Sequence, residues 1–163
     1  MNLLKKISRY LNRGLIWIGC CLLGAMTFLI CANIFLRSVW VPIKGTFELM
    51  GYFTAVMMAF AQGYTQMRKG HIAVDIVVLR FSGRVRKILD GINCLICTAF
   101  FALVSWQISK YAGTLWRTGE VTETLRIIYY PFVYAVALGC AALALVFLVD
   151  FLLNVFQEEE TAP

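Results

Sequence analysis

GLIWIGCCLLGAMTFLICANIFL, residues Gly14–Leu36, runs for 23 residues without a charge and stops at Arg37. A hydrocarbon core of ~30 Å takes ~20 helical residues to cross, so this run is long enough to span a membrane. Lipid offers no partner to backbone N–H and C=O groups, which predicts a helix rather than a lone strand. Three more apolar runs follow. Phe47–Gln66 is charged only at Glu48, Ile88–Ile108 carries Asp90 in its first turn, and Tyr129–Val149 ends against Asp150. A membrane β-barrel would instead show short alternating segments. The chain therefore reads as an all-α integral membrane protein, a single membrane domain over residues 1–163 with four transmembrane helices.

Composition agrees. Of 163 residues, 61% are apolar and 15% charged, and the mean hydropathy is +0.77. A soluble domain is nearer 45–50% apolar and 25% charged, so this excess cannot be buried in one small core. Disorder, a disulfide scaffold and a secreted module are excluded on the same ground. The first run exceeds a usual signal-peptide core and has no A-x-A-like site after it, so it reads as a retained anchor.

The formal charge of +6 does not require nucleic acid. Lys5, Lys6, Arg9 and Arg13 precede the first run, and Arg68, Lys69, Arg80, Arg84, Arg86 and Lys87 lie between the second and third. The opposite side holds only Arg37, Lys44, Lys110, Arg117 and Arg126. Basic residues accumulate on the cytoplasmic side, which predicts that both termini are cytoplasmic. Trp40, Trp106, Trp116, Tyr129 and Tyr130 then fall near the outer interface, where amphipathic rings are favoured.

Residues 71–82 are too short to span. Ile72, Ile76 and Leu79 recur at helical spacing while His71, Asp75 and Arg80 break the apolar run. A short amphipathic interfacial helix on the cytoplasmic face is expected, its basic neighbours meeting anionic lipid. An acidic tail closes the chain at 157–163.

Polar groups inside a membrane are the first candidates for chemistry. Asn33 and Arg37 share one face at the outer end of the first span, at the depth of Glu48. An interhelical ion pair of Arg37 with Glu48 is expected, because a transport carboxylate belongs nearer the midplane. Asp90 can pair with Arg86, and Asn93 can bond a neighbouring helix. Cys20, Cys21, Cys31, Cys94, Cys97 and Cys140 all lie in the spans. Cys94 and Cys97 have C-x-x-C spacing, but a thiolate is disfavoured inside lipid, so they read as small packing residues. His71 is the only histidine, which excludes bis-histidine haem ligation within the chain. No phosphate-binding loop, G-x-S-x-G or H-E-x-x-H is present, so neither an enzyme nor a cofactor is expected. Packing signals are stronger: Gly51, Ala55, Ala59 and Gly63 form a small-residue stripe that lets a helix or another subunit approach closely.

Three stretches together resemble a family. Asn33-Ile34-Phe35-Leu36-Arg37 is similar to an N-x-x-x-R at the end of a first span, and Phe47-Glu48 to the acidic start of a second. Gly70-His71-Ile72-Ala73-Val74-Asp75 is similar to a G-H-I-x-V-D segment opening an amphipathic connector. In that order and placement they resemble the small membrane subunit of tripartite ATP-independent periplasmic (TRAP) transporters, the DctQ-type family. Where that family often has L-x-I-P-x-W before its last span, Leu125-Arg126-Ile127-Ile128-Tyr129-Tyr130 keeps Leu and Ile, and Pro131 comes three residues later.

The resemblance implies a non-catalytic subunit that scaffolds a large, sodium-driven, elevator-type membrane subunit. It also implies a periplasmic binding protein that delivers an organic acid such as sialic acid or a C4-dicarboxylate. Arg37, Glu48 and the interfacial helix become structural anchors, and the outer-loop residues Lys44, Arg117, Glu120, Glu123 and Arg126 become docking candidates for the binding protein. Two other readings stand beside it: a small homodimeric proton-coupled exporter using Glu48, and a membrane redox protein using Cys94 and Cys97.

Overall fold

Four helices form where the apolar runs are, and each is longer than its run. In the computed structural model, which describes residues 2–39, 41, 43–68 and 83–156, they are α1 (Asn2–Val39), α2 (Thr46–Met67), α3 (Gly83–Thr118) and α4 (Tyr130–Phe156). The expected interfacial helix (His71, Asp75, Arg80) and the acidic tail lie outside the described residues, as does the Arg86 side chain expected to meet Asp90.

Local chemistry explains the boundaries. Helix α1 stops at Val39, three residues before Pro42, whose ring disfavours helix in the residue preceding it. Helix α3 ends at Gly119, which takes the left-handed conformation at φ 66° and donates its N–H to Leu115 O at 3.0 Å. Helix α4 starts on Tyr129 O, which accepts from Phe132 N at 3.1 Å. Pro131 falls in the first turn, where its missing N–H costs nothing.

Among the described residues, three helices are long and apolar enough to cross a membrane: Lys6–Val39, Ile88–Thr118 and Tyr130–Asn154. The fourth, α2, has 22 residues and so extends about 33 Å, but its composition falls short. Thr46, Thr54, Gln62, Thr65 and Gln66 dilute it, and three of them bond outside their own helix. Thr46 Oγ1 donates to Ile43 O at 2.8 Å, Thr54 Oγ1 to Met26 Sδ at 3.3 Å, and Gln66 Nε2 to Asp150 Oδ2 at 3.2 Å.

Helix α4 is the centre of the bundle. Half of its most apolar window is buried, against 11% for α1 and none for α3. It packs on α3 and α2, while α1 leans on α2. Leu15, Val56, Phe60 and Ala142 make a core cluster joining α1, α2 and α4. Across α3 and α4, Phe101 stacks on Phe147 at 5.9 Å and Ser105 Oγ donates to Ala137 O at 2.8 Å.

The small-residue stripe of α2 divides in two. Ala59 and Gly63 are buried, whereas Gly51 and Ala55 are exposed. A Cβ on Gly139 of α4 would sit 2.7 Å from Ala59 Cβ and 2.8 Å from its backbone C and O. The Asn12 side chain of α1 occupies the space beside Gly63. Close approach of both neighbours thus depends on the inner half of the stripe.

Candidate functional site

Two of the three motif stretches, Asn33–Arg37 and Phe47-Glu48, lie at one end of the bundle, where two loops meet; Gly70–Asp75 lies outside the described residues. The first loop, residues 40–45, leads from α1 into α2. Asn33 Oδ1, one turn and a half before the end of α1, accepts the Ile43 N–H at 2.9 Å. Gly45 follows at φ 75° and accepts from Leu49 N at 3.2 Å. Thr46, buried at the start of α2, closes the turn through Ile43 O.

The second loop, residues 119–129, leads from α3 into α4 and is organised around Thr122. Thr122 N donates to Ile127 O at 3.0 Å, its hydroxyl accepts from Ile127 N at 3.2 Å, and its carbonyl accepts from Arg126 N at 3.1 Å. Val121 and Ile128 form an isolated antiparallel bridge across it. Arg126 sits at φ 51°, a left-handed conformation uncommon outside glycine.

Glu48 locks the two loops together. One carboxylate oxygen accepts the Thr124 N–H at 2.8 Å and the other the Leu125 N–H at 3.2 Å. Hydrogen bonds to an ionised acceptor are roughly twice as strong as neutral ones. The first turn of a helix also favours an acidic side chain, through its unpaired N–H groups and dipole. Leu125 then lays its side chain over Gly45, in the space where a Cβ would stand. One turn on from Glu48, Tyr52 places its ring between Tyr129 and Phe132, with centroids 5.7 and 5.4 Å away. Tyr129 in turn donates its hydroxyl to Glu120 Oε2 at 2.8 Å.

This arrangement corrects the expected ion pair. Arg37 is exposed, and among the described residues it makes no salt bridge to Glu48, whose two oxygens are taken by backbone donors. Asn93 likewise stays local: its Oδ1 lies 3.8 Å from Cys97 Sγ, on its own helix. Cys94 and Cys97 form no disulfide. Lys44, Arg117, Glu120, Glu123 and Arg126 are all exposed around the two loops. Gly45, Tyr52 and Thr122 are the members that sequence reasoning missed. Only Gly45, between Lys44 and Thr46, carried a turn signal.

Glu48, Tyr52, Thr122, Leu125 and Tyr129 enclose a cavity of about 10 Å³, room for a single water at most. The site is a clamp, with no space for a substrate. Among the described residues no three His, Cys, Asp or Glu side chains gather to hold a metal. Gly45→Ala should therefore destabilise the protein by about 1–3 kcal/mol, through strain at a left-handed position and collision with Leu125. Thermal unfolding of the detergent-solubilised chain measures this.

Comparison with curated proteins and with solved structures gives no significant match. A family model does match, over residues 26–157: tripartite ATP-independent periplasmic transporters, DctQ component. The matched region takes in Asn33, Glu48 and the loop that Glu48 holds. With most of its length covered, the chain belongs to the DctQ component family of these transporters, a family of transporter subunits and not of enzymes.

Proposed function

We propose that this chain is the non-catalytic scaffold of a sodium-driven TRAP transporter, a single membrane domain crossing the inner membrane four times with both termini cytoplasmic. It holds the large elevator-type membrane subunit in place while a periplasmic binding protein delivers an organic acid, of which sialic acid and C4-dicarboxylates are the leading classes. The carrying observation is Glu48, which accepts backbone N–H groups, and side-chain hydrogen bonds of Thr124 and Thr122, from a loop 76 residues away. A carboxylate used in this way positions a surface. Around it stand Lys44, Arg117, Glu120, Glu123 and Arg126, which we assign to docking the binding protein. Asn33, Gly51 and Ala55 are assigned to the scaffold and its subunit contact, with Arg37 free to meet a partner. The large apolar side chains left exposed on α1 and α3, among them Phe28, Phe35, Leu95, Ile96, Phe100 and Leu103, suit lipid or another membrane subunit.

Reconstitution tests this. Vesicles holding this chain with the large subunit, given binding protein and a sodium gradient, should accumulate labelled organic acid, and omission of this chain should abolish uptake. Sodium-driven uptake by this chain alone would overturn the scaffold role. The exporter reading requires Glu48 to exchange protons, and its two backbone bonds disfavour that. The redox reading is checked separately. Replacing Cys94 and Cys97 together with alanine should leave uptake within about twofold of the parent, since neither packing position is central to the bundle.

A further inference from the structure

The end of the bundle opposite the loop clamp holds a cavity of about 780 Å³, within the ~300–1,000 Å³ of clefts that hold small ligands. It opens between the first turns of α1 and the last turns of α2 and α4. Arg9 and Arg13, four residues apart on one face of α1, and Arg68 at the end of α2 line it, against a single carboxylate among the described residues, Asp150. That carboxylate already accepts from Gln66. Arg68 is held in place: its Nε and one Nη donate to the Tyr64 hydroxyl at 3.3 and 3.2 Å, with the guanidinium carbon 5.5 Å from the ring centroid. Five N–H donors on each guanidinium leave ample capacity for an anion's oxygens.

Apart from Ser8 and the Tyr64 hydroxyl, the remaining walls are apolar. Ile16 and Val149 lead from the arginines toward the membrane-spanning part of the helices, Leu153 lines the cavity one turn nearer the end of α4, and Trp17 stands exposed at the rim. Arg9 and Arg13 directly precede the uncharged run that begins at Gly14, so the guanidinium groups lie at headgroup level. Cations above, an indole at the boundary and aliphatic side chains below match a phospholipid, whereas a soluble anion would use the cations alone. We infer that this cavity binds one anionic glycerophospholipid, its phosphate on Arg9, Arg13 and Arg68 and the start of an acyl chain along Ile16 and Val149. Arg9, Arg13 and Trp17 fall before the family-matched region, whereas Arg68, Val149 and Leu153 fall within it.

Native mass spectrometry of the full chain, exchanged into micelles with equimolar phosphatidylglycerol and phosphatidylcholine, tests the inference. One phosphatidylglycerol should be retained in preference to phosphatidylcholine. Each arginine replaced by glutamine should weaken retention roughly fivefold, the worth of one basic residue at a lipid surface. Arg13→Lys with Arg68→Lys should recover most of it, which separates charge from folding. Leu153→Trp, which fills the apolar wall and leaves the arginines intact, should also expel the lipid. Equal retention of both lipids, or retention unchanged in Arg13→Gln/Arg68→Gln, overturns the inference. So does displacement of the lipid by millimolar inorganic phosphate, which would mark a site for a soluble anion. Loss of the lipid on assembly with the large membrane subunit would mark a subunit contact and overturn it equally.

Discussion

Glu48→Ala is expected to free the loop of residues 119–129 while leaving the four helices folded. Two charge-assisted bonds hold Thr124 and Leu125, and alanine replaces neither. Amide hydrogen exchange at these two positions should rise by roughly tenfold or more, because local opening then no longer breaks an ionic contact. Glu48→Gln should fall between: its carbonyl can accept one N–H, but its amide group turns a donor toward the other. Arg37→Gln provides the contrast. If Arg37 and Glu48 worked as an ion pair, both changes would loosen the same loop. With Glu48 bonded to backbone, Arg37→Gln should leave exchange at Thr124 and Leu125 unchanged. Because the loop carries Glu120, Glu123 and Arg126, Glu48→Ala should also weaken capture of the binding protein, and unaltered capture would remove these residues from the docking surface.

The second large effect is expected at the crossing of α2 and α4. Gly139→Ala places a methyl group 2.7 Å from Ala59 Cβ and 2.8 Å from its backbone, so the helices must separate or tilt. Overpacking of this kind costs about 1–3 kcal/mol, read as a fall in the temperature at which the solubilised chain loses its folded form. Adding Ala59→Gly should restore only part of the loss, since the backbone contacts remain. Gly51→Ala, on the same stripe but with nothing within 4 Å of the added carbon, should leave the isolated chain unaffected. A loss seen for Gly51→Ala only in the assembled transporter would locate a subunit contact on the outer half of the stripe.

These two positions show where sequence reading reaches its limit. The stripe of Gly51, Ala55, Ala59 and Gly63 is uniform in sequence, since spacing reports only that four small residues share a face. Which of them meet a helix depends on where α1 and α4 cross α2, and that is set by packing all along the helices. Glu48 was conspicuous as a charge in an apolar run, but its partner was misjudged. Opposite charges can be matched by reading a sequence. A backbone N–H cannot, because almost every residue has one and only loop geometry aims it. The cavity lined by Arg9, Arg13, Arg68 and Asp150 was hidden for a related reason. Its basic residues were legible as a topology signal, while the space between them exists only once three helices end together.

By itself the sequence determined the solvent and the element type: apolar runs of about 20 residues must be helical, because lipid leaves their backbone groups no other partner. It also carried the marks of family membership, in short motifs at the ends of those runs. Tertiary structure alone decided that α4 is the central helix and that α2 spends polar side chains on its neighbours. It alone decided that Glu48 is a clamp on a distant loop. The division has one physical cause. Burial from water is a property each segment pays for locally, whereas the direction of a hydrogen bond and the closeness of a helix crossing depend on parts of the chain far apart in sequence.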